Sequence, residues 1–247
     1  MKPFLSAWAT TKRAMNRSYS ALPSSYDMLT EDVPYESFVE RYEKEFKTGS
    51  GEFALILDLC CGTGTVTSLL REKGYDVIGV DSSEEMLMEA KAKCPDVLFL
   101  CQDARELDLY GTVDACISSL DSLNYIPTED LPGVFGRLRL FIRPGGLFLF
   151  DLRSEEFLRG IDGFTSVDET DDTLCLWRAD FDEAEGCLCY GLDLFTKKGS
   201  LWKRHSEEHI EFCHSVSAIS AALNAAGFEI LNLSEEDGRI FISSERK

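Results

Sequence analysis

A chain of 247 residues, 44% hydrophobic and 11% aromatic, can bury the core of one α/β domain with an elaboration. Its 44 acidic residues outnumber 25 Lys and Arg, and the net charge of −19 disfavours nucleic-acid partners because such a surface repels phosphates. No apolar stretch reaches the roughly 20 residues of a membrane span, so we expect no membrane partner.

The nine cysteines indicate reduced thiols rather than a disulfide framework. Cys60 and Cys61 fall in a glycine-rich turn, the others are scattered, and there is no C-x-x-C pair or secretory signal. We therefore expect a cytoplasmic protein. The sequence leaves its oligomeric state open.

The first 26 residues are basic, as in a transit peptide or a membrane-surface helix. However, the apolar positions Phe4, Leu5 and Trp8 are too few for an anchor. We expect instead an N-terminal helical cap, residues 1–48, that lies over the acidic body.

Helix and strand signals alternate from Pro34 to Asp151. Predicted helices follow Pro34, Gly64, a capping box at Ser82-Ser-Glu-Glu85, and Thr128. Predicted strands are residues 53–59, 75–80, 97–101, 113–118 and 147–150. Such a series predicts right-handed crossovers and a parallel sheet, with residues 49–160 as the core.

The pattern changes after Asp151. Three stretches of residues, 174–177, 187–196 and 202–212, alternate as antiparallel strands do, and Gly-containing turns separate them. They predict a small antiparallel β insertion, residues 161–212, that covers the sheet edge as a lid. Residues 213–247 then complete the core with a helix capped by Ser215 and two last strands.

The turn after the first strand carries the strongest chemical signal. Residues 55–65 are Leu-Ile-Leu-Asp-Leu-Cys-Cys-Gly-Thr-Gly-Thr, so Gly62 and Gly64 could bring backbone N–H groups close to a ligand carboxylate. Val66 and Thr67 stand where a pyrophosphate fingerprint has its third glycine. Asp58 before the turn suits an ammonium, which favours S-adenosylmethionine over NAD.

Two further acids follow at the ends of the next strands. Asp81 is placed to accept both ribose hydroxyls, and Asp103 to accept from the adenine amino group while the Ala104 N–H faces a ring nitrogen. Each acid alone is more often a solvated loop residue or a helix cap. Their order with the glycine turn predicts an S-adenosylmethionine site.

With these motifs, the chain resembles the class I S-adenosylmethionine-dependent methyltransferases. Residues 18–19, 26–35, 121–125 and 204–209 resemble those of a subgroup of small bacterial members, mostly of unassigned substrate. The resemblance implies a Rossmann-like, seven-stranded, mostly parallel sheet with an antiparallel terminal hairpin, and S-adenosylhomocysteine as product. It also implies Tyr26 near the cofactor and residues 118–120 beside its methionine part. The full predicted cofactor set is Tyr26, Asp58, Cys60, Gly62, Gly64, Asp81, Ser82, Met86, Asp103, Ala104, Ser118, Ser119 and Leu120.

Methyl transfer needs a base only if the acceptor arrives protonated. The candidates are His209, Tyr125, Glu207 and Tyr19, with His209 first because its ordinary pKa suits neutral pH. The alternative for His209 is a hydrogen-bonded residue that ties the lid to the core. About half of the lid's ring-bearing residues are expected to form the core of the small sheet and the other half to line an apolar pocket. They are Trp177, Phe181, Tyr190, Phe195, Trp202, His205 and His209.

We expect a small-molecule acceptor with an amine, methylated on N or O. Asp121-Ser-Leu-Asn124 replaces the Asn/Asp-Pro-Pro-Tyr loop of nucleic-acid base methyltransferases. No metal is expected, because His205 and His209 on a strand would lie roughly 13 Å apart. The alternatives are a cofactor-binding scaffold without catalysis and an NAD-linked oxidoreductase.

Overall fold

The computed structural model describes residues 26–27, 30–49 and 51–247. Most of the predicted N-terminal cap, Tyr19 included, lies outside the described residues. The strands are β1 (Leu55–Leu59), β2 (Asp76–Asp81), β3 (Leu98–Cys101), β4 (Val113–Ser118), β5 (Ile142–Arg153), β6 (Thr165–Glu169), β7 (Thr173–Asp182), β8 (Cys187–Lys198), β9 (Leu201–Phe212), β10 (Phe228–Glu236) and β11 (Arg239–Arg246). The α-helices longer than two residues are α1 (Tyr35–Thr48), α2 (Thr65–Glu72), α3 (Glu84–Lys93), α4 (Leu131–Phe141), α5 (Glu155–Gly160) and α6 (Val216–Ala226).

Seven strands form the central sheet in the order β10-β11-β5-β4-β1-β2-β3. Strands β1 to β5 are parallel, whereas β11 is antiparallel to both β5 and β10. The predicted fold class is therefore confirmed. Strand β1 lies between β2 and β4, where the chain order reverses, and the carboxyl ends of strands at such a point form a ligand crevice.

Both faces of the sheet are covered, as the apolar strands predict. Helices α1 and α2 pack on one face, where α1 buries Phe38, Tyr42 and Phe46 at the predicted spacing. Helices α4 and α6 pack on the other, around Phe135 and Leu223. No helix in the described part of the chain is long and apolar enough to cross a membrane.

The insertion after β5 is a separate antiparallel sheet in the order β6-β7-β8-β9. A short 3₁₀ turn, Ser122–Tyr125, holds its last strand against the core. Asn124 in this turn donates its amide to the Phe212 carbonyl at 2.9 Å and accepts from the Arg153 N–H at 3.0 Å. The turn therefore fixes the position of the lid relative to the end of β5.

Three predicted details are wrong. The lid has four strands, whereas the sequence indicates three. The polar edge strand β6 was missed because its sequence has no apolar alternation. Thr128 does not cap α4; its hydroxyl hydrogen-bonds His214 Nδ1 at 2.9 Å, and α4 begins at Leu131. The cap of α3 is Ser83 rather than Ser82, since the Ser83 hydroxyl accepts from the Met86 N–H.

Candidate active site

A cavity of about 560 Å³ opens at the carboxyl ends of β1, β2 and β4, beneath strand β9 of the lid. It brings together most of the predicted site residues. Those that line it are Tyr26, Asp58, Cys60, Gly62, Asp81, Ser82, Met86, Asp103, Ala104, Ser119, Leu120 and Tyr125. Gly64, Ser118, Glu207 and His209 are described but do not line it.

The two glycines of the turn have different surroundings. Gly62 has a φ of 55°, borders the cavity, and a Cβ there would meet nothing within 4 Å. Gly64 has a φ of 75°, and a Cβ there would lie 3.0 Å from the Cβ of Ala90 in α3. The backbone of Gly62 is thus open to a ligand, whereas Gly64 permits close packing of two helices.

Asp81 at the end of β2 organises the turn. Its Oδ2 accepts from the Gly62 N–H and its Oδ1 from the Ser83 N–H, both at 2.9 Å. Burial raises the pKa of Asp81, although these backbone hydrogen bonds oppose the shift. A carboxylate has about four acceptor sites, so the two oxygens of Asp81 still have lone-pair capacity for a ribose hydroxyl.

Asp58 lies at the base of the cavity and is 1% exposed. The Thr67 hydroxyl donates to its Oδ2 at 2.5 Å. Burial raises the pKa of Asp58 to about 7, and the neighbouring Asp81 adds to the shift. No Lys or Arg among the described residues forms an ion pair with Asp58, so an ammonium on a ligand would supply the missing positive charge. The site fits the predicted zwitterionic cofactor.

Asp103 has a protein partner that the sequence did not indicate. Arg105 binds both of its carboxylate oxygens, at 2.9 and 2.6 Å, and holds the pKa of Asp103 below its ordinary value. The adjoining Ala104 is buried in the cavity wall. Asp103 can therefore accept from an adenine amino group only through lone pairs that Arg105 leaves available.

The loop after β4 is strained and held by a buried acid. Leu120 and Asp121 have φ values of 58° and 52°, a region that side chains rarely adopt. Asp151 on β5 accepts from the N–H groups of both residues, at 2.8 and 2.9 Å, and pairs with Arg239. Nearby, Ser119 hydrogen-bonds the Tyr42 hydroxyl at 2.8 Å. Strain of this kind concentrates at ligand sites.

The lid strand β9 turns two of the predicted catalytic residues, Glu207 and His209, away from the cavity. Glu208, Ile210 and Phe212 line it, and the alternation of a strand turns the residues between them to the other face. On that face, His209 is 1% exposed and stacks on Tyr190 with ring centroids 4.8 Å apart. Its Nε2 lies 3.3 Å from Glu207 Oε2. Both of these partners belong to the lid, while an edge-to-face contact with Tyr125, at 5.9 Å between ring centroids, joins His209 to the 3₁₀ turn of the core.

Of the other predicted catalytic residues, Tyr125 lines the cavity, and Tyr19 lies outside the described residues. The sequence analysis missed Asp27, which follows the cavity residue Tyr26. Asp27 accepts from the Thr63 hydroxyl at 2.6 Å and from Lys93 at 2.8 Å. This latch fastens the Tyr26 segment over the glycine turn. No local pattern predicts this contact, because Asp27 and Thr63 lie 36 residues apart in the chain.

All nine cysteines are free thiols. Within the described ranges, no group of three or more His, Cys, Asp and Glu side chains could hold a metal ion. His205 and His209 belong to strand β9, as the sequence predicted.

The chain is similar to known methyltransferases. A family model described as "Methyltransferase domain" matches residues 56–146. Protein YqeM of Bacillus subtilis (strain 168), whose methyltransferase name states no substrate, is 32% identical over 218 residues, covering 86% of this chain and 87% of its own.

A crystal structure of an S-adenosylmethionine-dependent methyltransferase from Clostridium acetobutylicum ATCC 824 superposes with a TM-score of 0.79 at 27% identity. It covers 89% of this chain and 95% of its own. The dTDP-3-amino-3,4,6-trideoxy-α-D-glucopyranose N,N-dimethyltransferase of Streptomyces venezuelae is 30% identical over 101 residues, 40% of this chain and 43% of its own.

Proposed function

Because the chain belongs to the S-adenosylmethionine-dependent methyltransferases, we propose that it transfers the methyl group to the nitrogen of a small amine-bearing molecule. The observation that carries the acceptor class is the charge of the cavity wall. One cationic side chain, Arg105, is among the described lining residues, and Asp103 binds it. The acids that line the cavity are Asp58, Asp81, Glu85, Asp103 and Glu208.

Three of these acids have a proposed role at the cofactor end of the cavity. Asp58 takes the ammonium of the methionine part, Asp81 takes the ribose hydroxyls, and the open backbone at Gly62 allows close approach. Asp103 and Ala104 lie where the adenine is expected. When bound, the cofactor supplies a methyl group on a cationic sulfur.

The acceptor end lies between the 3₁₀ turn and the lid. Tyr125 from the turn and Glu208, Ile210 and Phe212 from β9 line it. Glu208 would attract an ammonium, whereas Ile210 and Phe212 offer an apolar surface to the rest of the molecule. An acidic wall opposes a carboxylate acceptor. The partial similarity to an amino-sugar N,N-dimethyltransferase supports an amine as well.

The residues of the chain accelerate transfer mainly by orientation. In-line displacement needs the acceptor nitrogen held behind the methyl carbon, in surroundings that exclude water. The lid strand closes the cavity over the ends of β1 and β4, and Asn124 fixes that strand relative to the turn that carries Tyr125. The same turn thus links the lid strand to the loop after β4.

Two measurements test this proposal. A thermal melt with S-adenosylhomocysteine at 100-fold over its Kd should add about 2.7 kcal/mol, roughly 5–10 °C for a chain this size, and NAD should add nothing. Release of S-adenosylhomocysteine is then measured with a panel of small primary and secondary amines, beside matched alcohols and carboxylic acids. Turnover of amines alone supports the proposal. Turnover of the acids alone, or of nothing in the panel, overturns the acceptor class.

A further inference from the structure

The loop after β4, residues 119–121, lies at the side of the cavity where the methionine part of the cofactor is expected. Strand β4 neighbours β1 in the sheet, and Ile117 of β4 pairs with Asp58 of β1, the proposed partner of the cofactor ammonium. Ser119 and Leu120 come directly after β4 and line the cavity. Strands β2 and β3, whose ends carry the acids proposed for the ribose and the adenine, lie on the other side of β1.

This loop has a backbone conformation that its own residues do not favour. Leu120 and Asp121 both have positive φ, which persists in residues with a side chain only where the surroundings enforce it. Asp151 of β5 enforces it, because one of its carboxylate oxygens accepts from the Leu120 N–H and the other from the Asp121 N–H. Asp151 is fully buried and does not line the cavity. Arg239 of β11 pairs with both carboxylates.

A second contact holds the same loop from helix α1. The Tyr42 hydroxyl hydrogen-bonds the Ser119 hydroxyl at 2.8 Å, and the Ser122 hydroxyl donates to the Ser119 carbonyl at 2.7 Å. Tyr42 is 2% exposed, belongs to the core beneath α1, and does not line the cavity. Two side chains outside the cavity therefore fix a segment of its wall.

We propose that Asp151 and Tyr42 are positioning residues for the cofactor. By holding residues 119–121 in their strained conformation, they set the affinity for the methionine part and leave the affinity for the nucleoside part unaffected. A wall that is already held pays no ordering cost when the ligand binds. This inference rests on the cofactor placement in the proposed function and is independent of the acceptor.

Two ligands separate this role from a purely structural one. 5′-Methylthioadenosine shares the nucleoside and the sulfur of S-adenosylhomocysteine but lacks its ammonium and carboxylate groups. Calorimetric titrations with each are made at pH 8, because burial raises the pKa of Asp58 to about 7 and that of Asp151 to about 6. The unaltered protein should bind S-adenosylhomocysteine more tightly. Equal affinity for the two ligands would show that the loop does not contact the methionine part, and would overturn the proposal.

The two variants remove one contact each. In Asp151→Asn, the side-chain amide would face a backbone N–H with a second donor. The Kd for S-adenosylhomocysteine should rise about tenfold, and the Kd for 5′-methylthioadenosine by less than about twofold. Tyr42→Phe keeps the buried ring, so it should raise the first Kd about threefold and leave the second unchanged. Equal losses for both ligands, or no loss, in a folded variant would overturn the role of the residue replaced.

A matched control for Asp151 lies at the opposite edge of the sheet. Asp114, near the start of β4, accepts from the N–H groups of Ala54 and Leu55 at 3.0 and 2.8 Å and pairs with Arg143 at 2.7 Å. Asp114→Asn removes the same kinds of contact at the amino ends of the strands, away from the cavity. It should lower the Tm and leave the ratio of the two Kd values unchanged. A shift of this ratio equal to that of Asp151→Asn would mean that the ratio reports stability alone, and would overturn the proposal.

A double-mutant cycle tests whether Asp151 acts through the backbone of the loop. Leu120→Gly introduces a residue that adopts a positive φ without steric cost. In this background, Asp151→Asn should raise the Kd for S-adenosylhomocysteine only about threefold instead of tenfold. The cycle also subtracts the effect of removing the Leu120 side chain from the cavity wall. An equal rise in both backgrounds would show that Asp151 does not control the conformation of the loop, and would refute the proposal.

Discussion

The carboxylate of Asp81 should dominate cofactor affinity, and Asp81→Asn measures its share. The asparagine keeps the shape of the side chain but loses the charge and one acceptor oxygen. Hydrogen bonds to a charged group contribute about 1.5–3 kcal/mol each, so losing one and weakening the other costs about 3 kcal/mol. At 1.4 kcal/mol per factor of ten, the Kd for S-adenosylhomocysteine should rise about 100-fold.

Calorimetric titration with S-adenosylhomocysteine gives this Kd directly. The matched control is Asp76→Asn, the same substitution at the opposite end of β2, where the side chain is 79% exposed and pairs with Arg71. In Asp81→Asn, the N–H of Gly62 or Ser83 also loses an acceptor. The Tm of the ligand-free variant should therefore be only a few degrees lower than that of the unaltered protein. A Kd within threefold of the control, in a folded variant, would show that Asp81 does not hold the ribose.

Three further predictions concern the cofactor end of the site. Because burial raises the pKa of Asp58 to about 7, Asp58 must lose a proton before it can pair with a ligand ammonium at acidic pH. The affinity for S-adenosylhomocysteine, measured by calorimetry, should therefore fall about tenfold for each pH unit below 7. In Asp58→Asn the affinity should not change with pH over this range. Gly64→Ala brings a Cβ to 3.0 Å from the Cβ of Ala90, so it should lower the Tm by more than Gly62→Ala does. Gly62→Ala should instead weaken the binding of S-adenosylhomocysteine more than Gly64→Ala does. The reverse order in thermal melts and calorimetric titrations would contradict the two roles. Asp27→Ala removes the contacts of Asp27 with Thr63 and Lys93. The dissociation rate constant of S-adenosylhomocysteine, measured by stopped-flow, should rise several-fold, and the Tm should be nearly unchanged. An unaltered rate constant would mean that this latch does not retain the ligand.

The sequence predicts the fold well where local pattern and tertiary structure agree. The run around Leu57 is buried on both faces of the central sheet, and Gly49 and Gly227 end helices as glycine commonly does. Strand β6 escaped prediction because it is a polar edge strand that pairs on one side only. Its partner β7, and not its own composition, makes it a strand.

The acceptor end could not be predicted in the same way, because β9 has polar residues on both faces. His209 and Glu211 are polar yet buried, whereas Glu208 lines the cavity. A strand with one solvent face reveals its orientation through alternating polarity, but this strand lies between a cavity and the core. Choosing His209 for its ordinary pKa therefore selected the face that turns away from the cavity.

The contacts that position the acceptor end also join segments that are distant in the chain. Asp151 holds the strained backbone of Leu120 and Asp121, and Arg239 pairs with both Asp151 and Asp121. Burial raises the pKa of Glu211 in the lid, Asp121 adds to the shift, and Arg239 opposes it. One buried cluster of charges therefore holds the loop beside the cavity and also acts on the pKa of a lid carboxyl. Since no member of this cluster is a sequence neighbour of Glu211, only the folded arrangement could reveal that the loop and the lid interact with the same charges.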